Sequence, residues 1–361
     1  MFFQGWRTNM ITIFSEEILI ALAGAFGGIL LGLAARLGRF CTLGAIEDHL
    51  YSSSNIRLRM WSLAIGFSIV GTFTLSQLGL VDLTASRFLT LQWNPLASII
   101  GGLLFGYGMA ICGNCGYGAL ARLGGGDLRA FVIVLVLGIS TYFFLSGPIA
   151  GFRLALFNMD LTDPGRYSGF SYLFNEFTGV SGGVFGIFVG VIILFLSFYK
   201  SQLHKEINAI FWSAVVAIAI VSGWYGTYWM RTHGFEPWAL NSHTFAAPVG
   251  ETIMYSMNGS AIGLSFGIGS VFGVLIGAFI GSIIKGHFRW EACEDPRELR
   301  RQIIGATIMG AGAVIALGCS VGQGLTAFSV LSFSAPVTII AIYIGARLGL
   351  KQLIEGFQPA E

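Results

Sequence analysis

Residues 261–284, AIGLSFGIGSVFGVLIGAFIGSII, run without one charged side chain. An α-helix rises about 1.5 Å per residue, so a run of this length exceeds the ~30 Å hydrocarbon thickness of a bilayer. In lipid every backbone polar group must be satisfied within the segment, which makes such a run a helix. Similar apolar stretches lie at 18–38, 60–81, 95–113, 128–150, 179–199, 208–230, 302–319 and 334–350. The sequence therefore predicts about nine membrane helices. The short alternating strands of a membrane barrel are not seen in these runs. Composition agrees: 55% of the 361 residues are apolar and 11% charged, against about 25% charged in soluble domains. Glycine contributes 51 residues, about twice the usual share. These figures exclude a soluble enzyme, a disordered chain and a nucleic-acid binder. The net charge of +2 names no bulk electrostatic partner. The chain reads as one all-α polytopic membrane domain, 1–361, in contact with lipid throughout.

Fifteen of the 20 Lys and Arg residues fall in segments after odd-numbered helices. The positive-inside rule then puts the N-terminus outside and the C-terminus in the cytoplasm, as in a bacterial inner-membrane protein. The N-terminus does not read as a cleavable signal, because Glu16 and Glu17 directly precede the first apolar run. Phe2, Phe3 and Trp6 read as an interfacial anchor, and Trp224, Tyr225, Tyr228 and Trp229 as an aromatic belt. The longest outer loops, 151–178 and 231–260, are suited to folding back over the mouth of the bundle.

One segment recurs. GGLLFGYGMAICGNCGYG at 101–118 resembles GATIMGAGAVIALGCSVG at 305–322, with Gly101, Gly106, Gly108, Cys115 and Gly118 each 204 residues before Gly305, Gly310, Gly312, Cys319 and Gly322. The two copies belong to helices three and eight, which cross in opposite directions, so the repeat is inverted. The halves are approximately 18–150 and 261–350, linked by helices in 151–260. Inverted repeats are a transporter architecture with the site near the midplane. The likeness of AGAFGGILLG (23–32) to GSVFGVLIG (269–277) does not fit this scheme, since helices one and seven run the same way.

Three of the five cysteines share a flank. Cys41, Cys115 and Cys319 are each followed at the third position by glycine: Gly44, Gly118 and Gly322. Glycine there permits positive φ and close backbone approach, so these are expected helix breaks. In a membrane, broken or re-entrant helices occur only where they line a cavity or are buried in protein. Three thiols at three breaks suggest a thiol-lined path; the alternative is that cysteine is simply a small packing residue. Cys112 completes a C-x-x-C with Cys115 but matches Ala316 in the second copy, so it reads as packing. Cys293 lies in a charged inner loop and reads as incidental. Four well-spaced metal ligands are lacking, and no cofactor is expected. All 18 acidic residues and all five histidines lie in or beside loops, so no coupling group is expected inside the spans. The glycine spacings read chiefly as close helix packing. Arg39 and Arg122, behind the first two motifs, read either as positive-inside anchors or as anion attractors at the inner mouth.

At these motifs the chain resembles the YeeE/YedE family of bacterial membrane transporters for sulfur compounds. The likeness rests on GRFCTLGAIED (38–48), GYGMAICGNCGYGALARLGGG (106–126) and GAGAVIALGCSVGQGL (310–325). It implies an hourglass-shaped helical protein that imports thiosulfate. It also implies that Cys41, Cys115 and Cys319 pass the anion along by transient S–H···S contacts. Some relatives are linked to selenium instead, and members often work with a separate cytosolic sulfur carrier of the TusA type. Two other classes fit three membrane thiols. A thiol–disulfide oxidoreductase needs cysteines within about 7 Å between Cα atoms, and a soft-metal carrier needs thiolate ligands.

Overall fold

The computed structural model describes residues 15–356 apart from 159, 164, 200–202, 293 and 294. Among the described residues there are fifteen α-helices and no strand. Nine are long: α1 Glu16–Arg36, α2 Ile56–Gln77, α3 Pro95–Cys112, α4 Leu128–Leu145, α5 Gly182–Phe198, α6 Ile207–His233, α7 Phe266–Ile284, α8 Pro296–Ile315 and α9 Ser334–Glu355. Each expected span has its helix. Seven, not nine, are long and apolar enough to cross a membrane by themselves. The two that fall short are α5, at 17 residues, and α8, whose first turns carry Arg297, Glu298, Arg300 and Arg301. The anchor read from Phe2, Phe3 and Trp6 lies outside the described residues, as does Cys293.

Glycine decides how these helices meet. In α1, a Cβ added at Gly24, Gly28 or Gly32 would run into the carbonyl oxygens of Phe266, Ser270 and Val274 of α7. In return, a Cβ at Gly269, Gly273 or Gly277 would run into the carbonyls of Ala21, Ala25 and Ile29. Residue numbers rise together on the two sides, so α1 and α7 are parallel. This explains the likeness between their sequences: both present a small-x-x-x-small stripe to the other. Helices α3 and α9 also pack in parallel, Gly102 on the Thr338 carbonyl and Gly106 on that of Ile342.

Between α3 and α8 the order reverses. A Cβ on Gly108 would stand 2.6 Å from the Gly305 carbonyl oxygen, and one on Gly312 would stand 2.7 Å from that of Gly101. The contacts are reciprocal and antiparallel, with no room for a side chain on either face. Gly108→Val therefore forces two backbones apart. Overpacking costs about 1–3 kcal/mol and sometimes more. The variant is expected to melt well below the parent in detergent, with reduced membrane content.

Two expectations need correction. The loop after α6 carries His243 into the bundle interior, where it is 0% exposed and its Nδ1 lies 2.7 Å from the Ser270 hydroxyl. A histidine in a loop by sequence is thus buried by fold, because the chain between α6 and the helix Ala247–Asn258 turns inward and lays the ring against Gly27 of α1 and Ser270 of α7. Trp224 is not part of an interfacial belt: it is 0% exposed, and its indole N–H donates to the Ser329 hydroxyl at 2.9 Å.

Candidate functional site

The three motif cysteines all stand where a new helix begins. Helix α1 ends at Arg36, and the helix Thr42–Tyr51 starts with Cys41 as its N-cap. Helix α3 ends at Cys112, and Gly116–Gly124 starts with Cys115 as its N-cap. Helix α8 ends at Ile315, and Cys319 precedes a helical segment over 320–329 that is wide-wound (π) at Gly322–Ala327. Wide-wound turns are frequent at functional sites.

The breaks are not made by the motif glycines. Gly44, Gly118 and Gly322 do not have positive φ; the left-handed residue lies two positions before each cysteine instead: Arg39 (φ 54), Gly113 (φ 81) and Leu317 (φ 57). Left-handed backbone is uncommon outside glycine and strained for a bulky residue. At Leu317 the fold holds it with hydrogen bonds around the turn. The amide of Gly318 donates to Ala313, and the Gln323 side chain donates to the Ala316 carbonyl at 2.7 Å.

N-capping sets the direction of two sulfurs. The Gly118 N–H donates to Cys115 Sγ at 3.3 Å. Cys319 Sγ accepts from the N–H of Gly322 and of Phe245, both at 3.4 Å, with the Thr244 hydroxyl 3.6 Å away. Backbone N–H donors thus take up sulfur lone pairs, and each S–H is directed elsewhere; at Cys319 the Thr244 hydroxyl is within its reach. Cys41 makes no cap bond, and its side chain lines a cavity. The fold brings the three motifs together. The Thr42 hydroxyl donates to Ser320 at 3.0 Å, the Ser320 side chain faces the Cys115 thiol, and Cys115 lies within electrostatic reach of Cys41 and Cys319. The four described cysteines are free thiols. Cys112 is the last residue of α3, buried with its backbone against Gly305, and caps no helix start.

Two separate cavities flank this cluster. One of about 340 Å³ reaches Cys41, Gly44, Gly113, Asn114 and Gly118. Its walls carry Arg36, Arg39, Arg57, Arg122 and Lys285 against one carboxylate, Glu47. Lys285 is pushed below the usual ammonium range by burial and then by Arg39 and Arg36. At the other end a cavity of about 110 Å³ reaches Leu317, Gly318 and Thr244, with Arg87 at its wall. The linings share no residue, and Cys115 (0% exposed) and Cys319 (2%) lie buried between them. Both arginines singled out in the sequence, Arg39 and Arg122, line the large cavity. Sequence reasoning passed over Arg57, Asn114, Thr244 and Ser320. Asn114 stood in plain view within the C-x-x-C, whereas Thr244 sits in a loop with no pattern around it.

The sequence pattern of a family described as "Sulphur transport" matches residues 37–348, from just before Cys41 to beyond Cys319. The chain belongs to the sulphur transport family. It is 25% identical over 339 residues to the thiosulfate transporter TsuA of Escherichia coli (strain K12), covering 90% of this chain and 92% of that one. It is 23% identical over 329 residues to the protein of the same name from Spirochaeta thermophila, covering 89% and 96%. In this member of the sulphur transport family, then, the match takes in all three cysteine motifs, the smaller cavity and all of the large one but Ala35 and Arg36. Among the described residues no cluster of His, Cys, Asp and Glu has the geometry of a metal site.

Proposed function

We propose that the chain carries thiosulfate, or a closely related sulfur anion, across the bacterial inner membrane into the cytoplasm by way of Cys319, Cys115 and Cys41. The observation that carries this reading is the row of thiols between two cavities, with two of the sulfurs oriented by backbone N–H donors. A free S–H is a weak donor that suits the terminal sulfur of thiosulfate. The relatives named as thiosulfate transporters support the same substrate.

In this reading, Gly44, Gly118 and Gly322 belong to the substrate path with the cysteines they follow. The short helices after Cys41 and Cys115 are re-entrant, and 18–150 and 261–350 are inverted halves joined by 151–260. The reciprocal, antiparallel contacts of α3 with α8 support this, because a two-fold relation makes residue i meet j and j meet i. The large cavity opens at the end holding most basic side chains, which the positive-inside rule assigns to the cytoplasm. Five cations there attract a dianion and leave it where a separate TusA-type carrier can consume it. A disulfide relay fits less well, since the four described cysteines are free thiols and the relatives are named as transporters.

Labelled uptake into vesicles that contain this protein alone tests the reading. Thiosulfate is expected to enter, and sulfate, which has matching charge but no terminal sulfur, to enter far more slowly. Equal rates for the two overturn it. The double variant Arg39→Gln/Arg122→Gln removes two of the five cations lining the cavity. It is expected to reduce thiosulfate uptake several-fold at low ionic strength and less at high salt, where surface charge is screened. A deficit independent of salt counts against electrostatic attraction.

A further inference from the structure

The motif glycines have a common neighbour type. A Cβ on Gly44 would run into Nη1 of Arg57 and stand 3.7 Å from Cys41 Cβ. A Cβ on Gly118 would stand 3.3 Å from Asn114 Oδ1 and 3.6 Å from Cys115 Sγ. One on Gly322 would stand 2.6 Å from Thr244 Oγ1 and 3.8 Å from Cys319 Sγ. Beside each thiol, then, the absent side chain makes room for one polar group: a guanidinium, an amide and a hydroxyl. They come from unrelated parts of the chain, namely the start of α2, the break after α3 and the loop after α6. They differ in size and shape, and each turns a polar atom to the glycine; in Asn114 that atom is the acceptor Oδ1, so its donor is the Nδ2 edge of the same amide. A need for packing alone is met better by apolar groups.

Their surroundings point the same way. Asn114 is 5% exposed and lines the large cavity. Arg57 is held by Asp48 through Nε at 3.2 Å, so its Nη1 edge is left over Gly44. Thr244 lines the opposite cavity beside Cys319.

We propose that Arg57, Asn114 and Thr244 are oxyanion donors that complete three two-point stations, each pairing a thiol for a terminal sulfur with a donor for an oxygen. The ligand class is an anion with a terminal sulfur bonded to an oxygenated sulfur centre. Sulfate meets only the donor, and hydrosulfide meets only the thiol. The glycine of each C-x-x-G is thereby a clearance residue for the donor. This inference rests on the transport reading and adds which residues recognise the oxygens.

The test measures initial rates of labelled thiosulfate uptake by purified protein in vesicles, at equal protein content. Thr244→Val, which keeps the shape and removes the hydroxyl, and Asn114→Leu are each expected to lower kcat/KM about tenfold or more, the size of one lost hydrogen bond to an anion. Thr244→Ser is expected to restore uptake, and inhibition by sulfate to weaken in both damaging variants. Gly118→Ala is expected to lower uptake by crowding Asn114, yet to add little on top of Asn114→Leu. If Asn114→Leu does not reach the membrane, the equal-sized Asn114→Asp carries the test, with a larger loss expected from its charge. Parental rates in Thr244→Val and the Asn114 variant, or independent effects of Gly118→Ala and Asn114→Leu, overturn the inference alone. No thiosulfate uptake by the parent protein overturns the transport reading and the inference with it.

Discussion

Alanine in place of Cys115 or Cys319 is expected to abolish thiosulfate uptake and to leave the protein in the membrane. Each sulfur caps a helix and accepts backbone N–H donors, so the structural loss is that of a cap, about 1 kcal/mol. On the proposed path the functional loss is larger, because among the described residues no other thiol takes either place. Cys41, which lines the large cavity and makes no cap bond, is expected to matter next. Cys112→Ala and Cys293→Ala are expected to transport close to normally, the first because Cys112 ends α3 and caps no helix start. Serine at Cys115 separates the two roles: it keeps the cap and removes the sulfur. Uptake is compared at matched membrane content. If Cys112→Ala is more damaging than Cys115→Ala, the thiols at the helix starts are not the path.

The second large effect is electrical. Moving one charge across a membrane is worth about 2.3 kcal/mol per 100 mV, so a dianion entering a negative interior meets roughly 4.6 kcal/mol per 100 mV. At about 1.4 kcal/mol per tenfold ratio this is an opposing gradient of over a thousandfold. The sequence holds no G-x-x-x-x-G-K-[ST] loop for a nucleotide. Uncoupled entry drawn inward by cytosolic consumption predicts that vesicles with no potential equilibrate thiosulfate. Making the lumen 100 mV negative is then expected to lower the final internal level by about a thousandfold. Accumulation above equilibrium under a proton gradient overturns uncoupled entry. His243, buried against Ser270, is then the first residue to replace.

Helix positions were readable because length and apolarity are local properties, and each expected run met its helix. The reach of α8 was overestimated because the window that starts at 302 leaves out the charged turns at its start. The breaks were legible in place but not in cause. Glycine in C-x-x-G suggested positive φ, whereas the turn is made by Arg39, Gly113 and Leu317, two of which carry no sequence signal for a left-handed backbone. The glycines proved to be matters of space, and space depends on Arg57, Asn114 and Thr244 arriving from elsewhere. The same holds for His243: burial of a loop residue is settled by tertiary packing, which no local pattern records.

The interlocked glycine faces of α1 with α7, and of α3 with α8 and α9, limit the kinds of motion open to this protein. A slide of one helix past its neighbour by a single residue drives side chains into carbonyls on both sides at once. Sliding within either group is thereby hindered, while movement of one group as a rigid body leaves these contacts intact. The proposed passage along the thiols needs only side-chain rotation and hydrogen-bond exchange, which run orders of magnitude faster than domain movements. Freezing the helices together with engineered cross-links away from the path should leave the rate almost untouched.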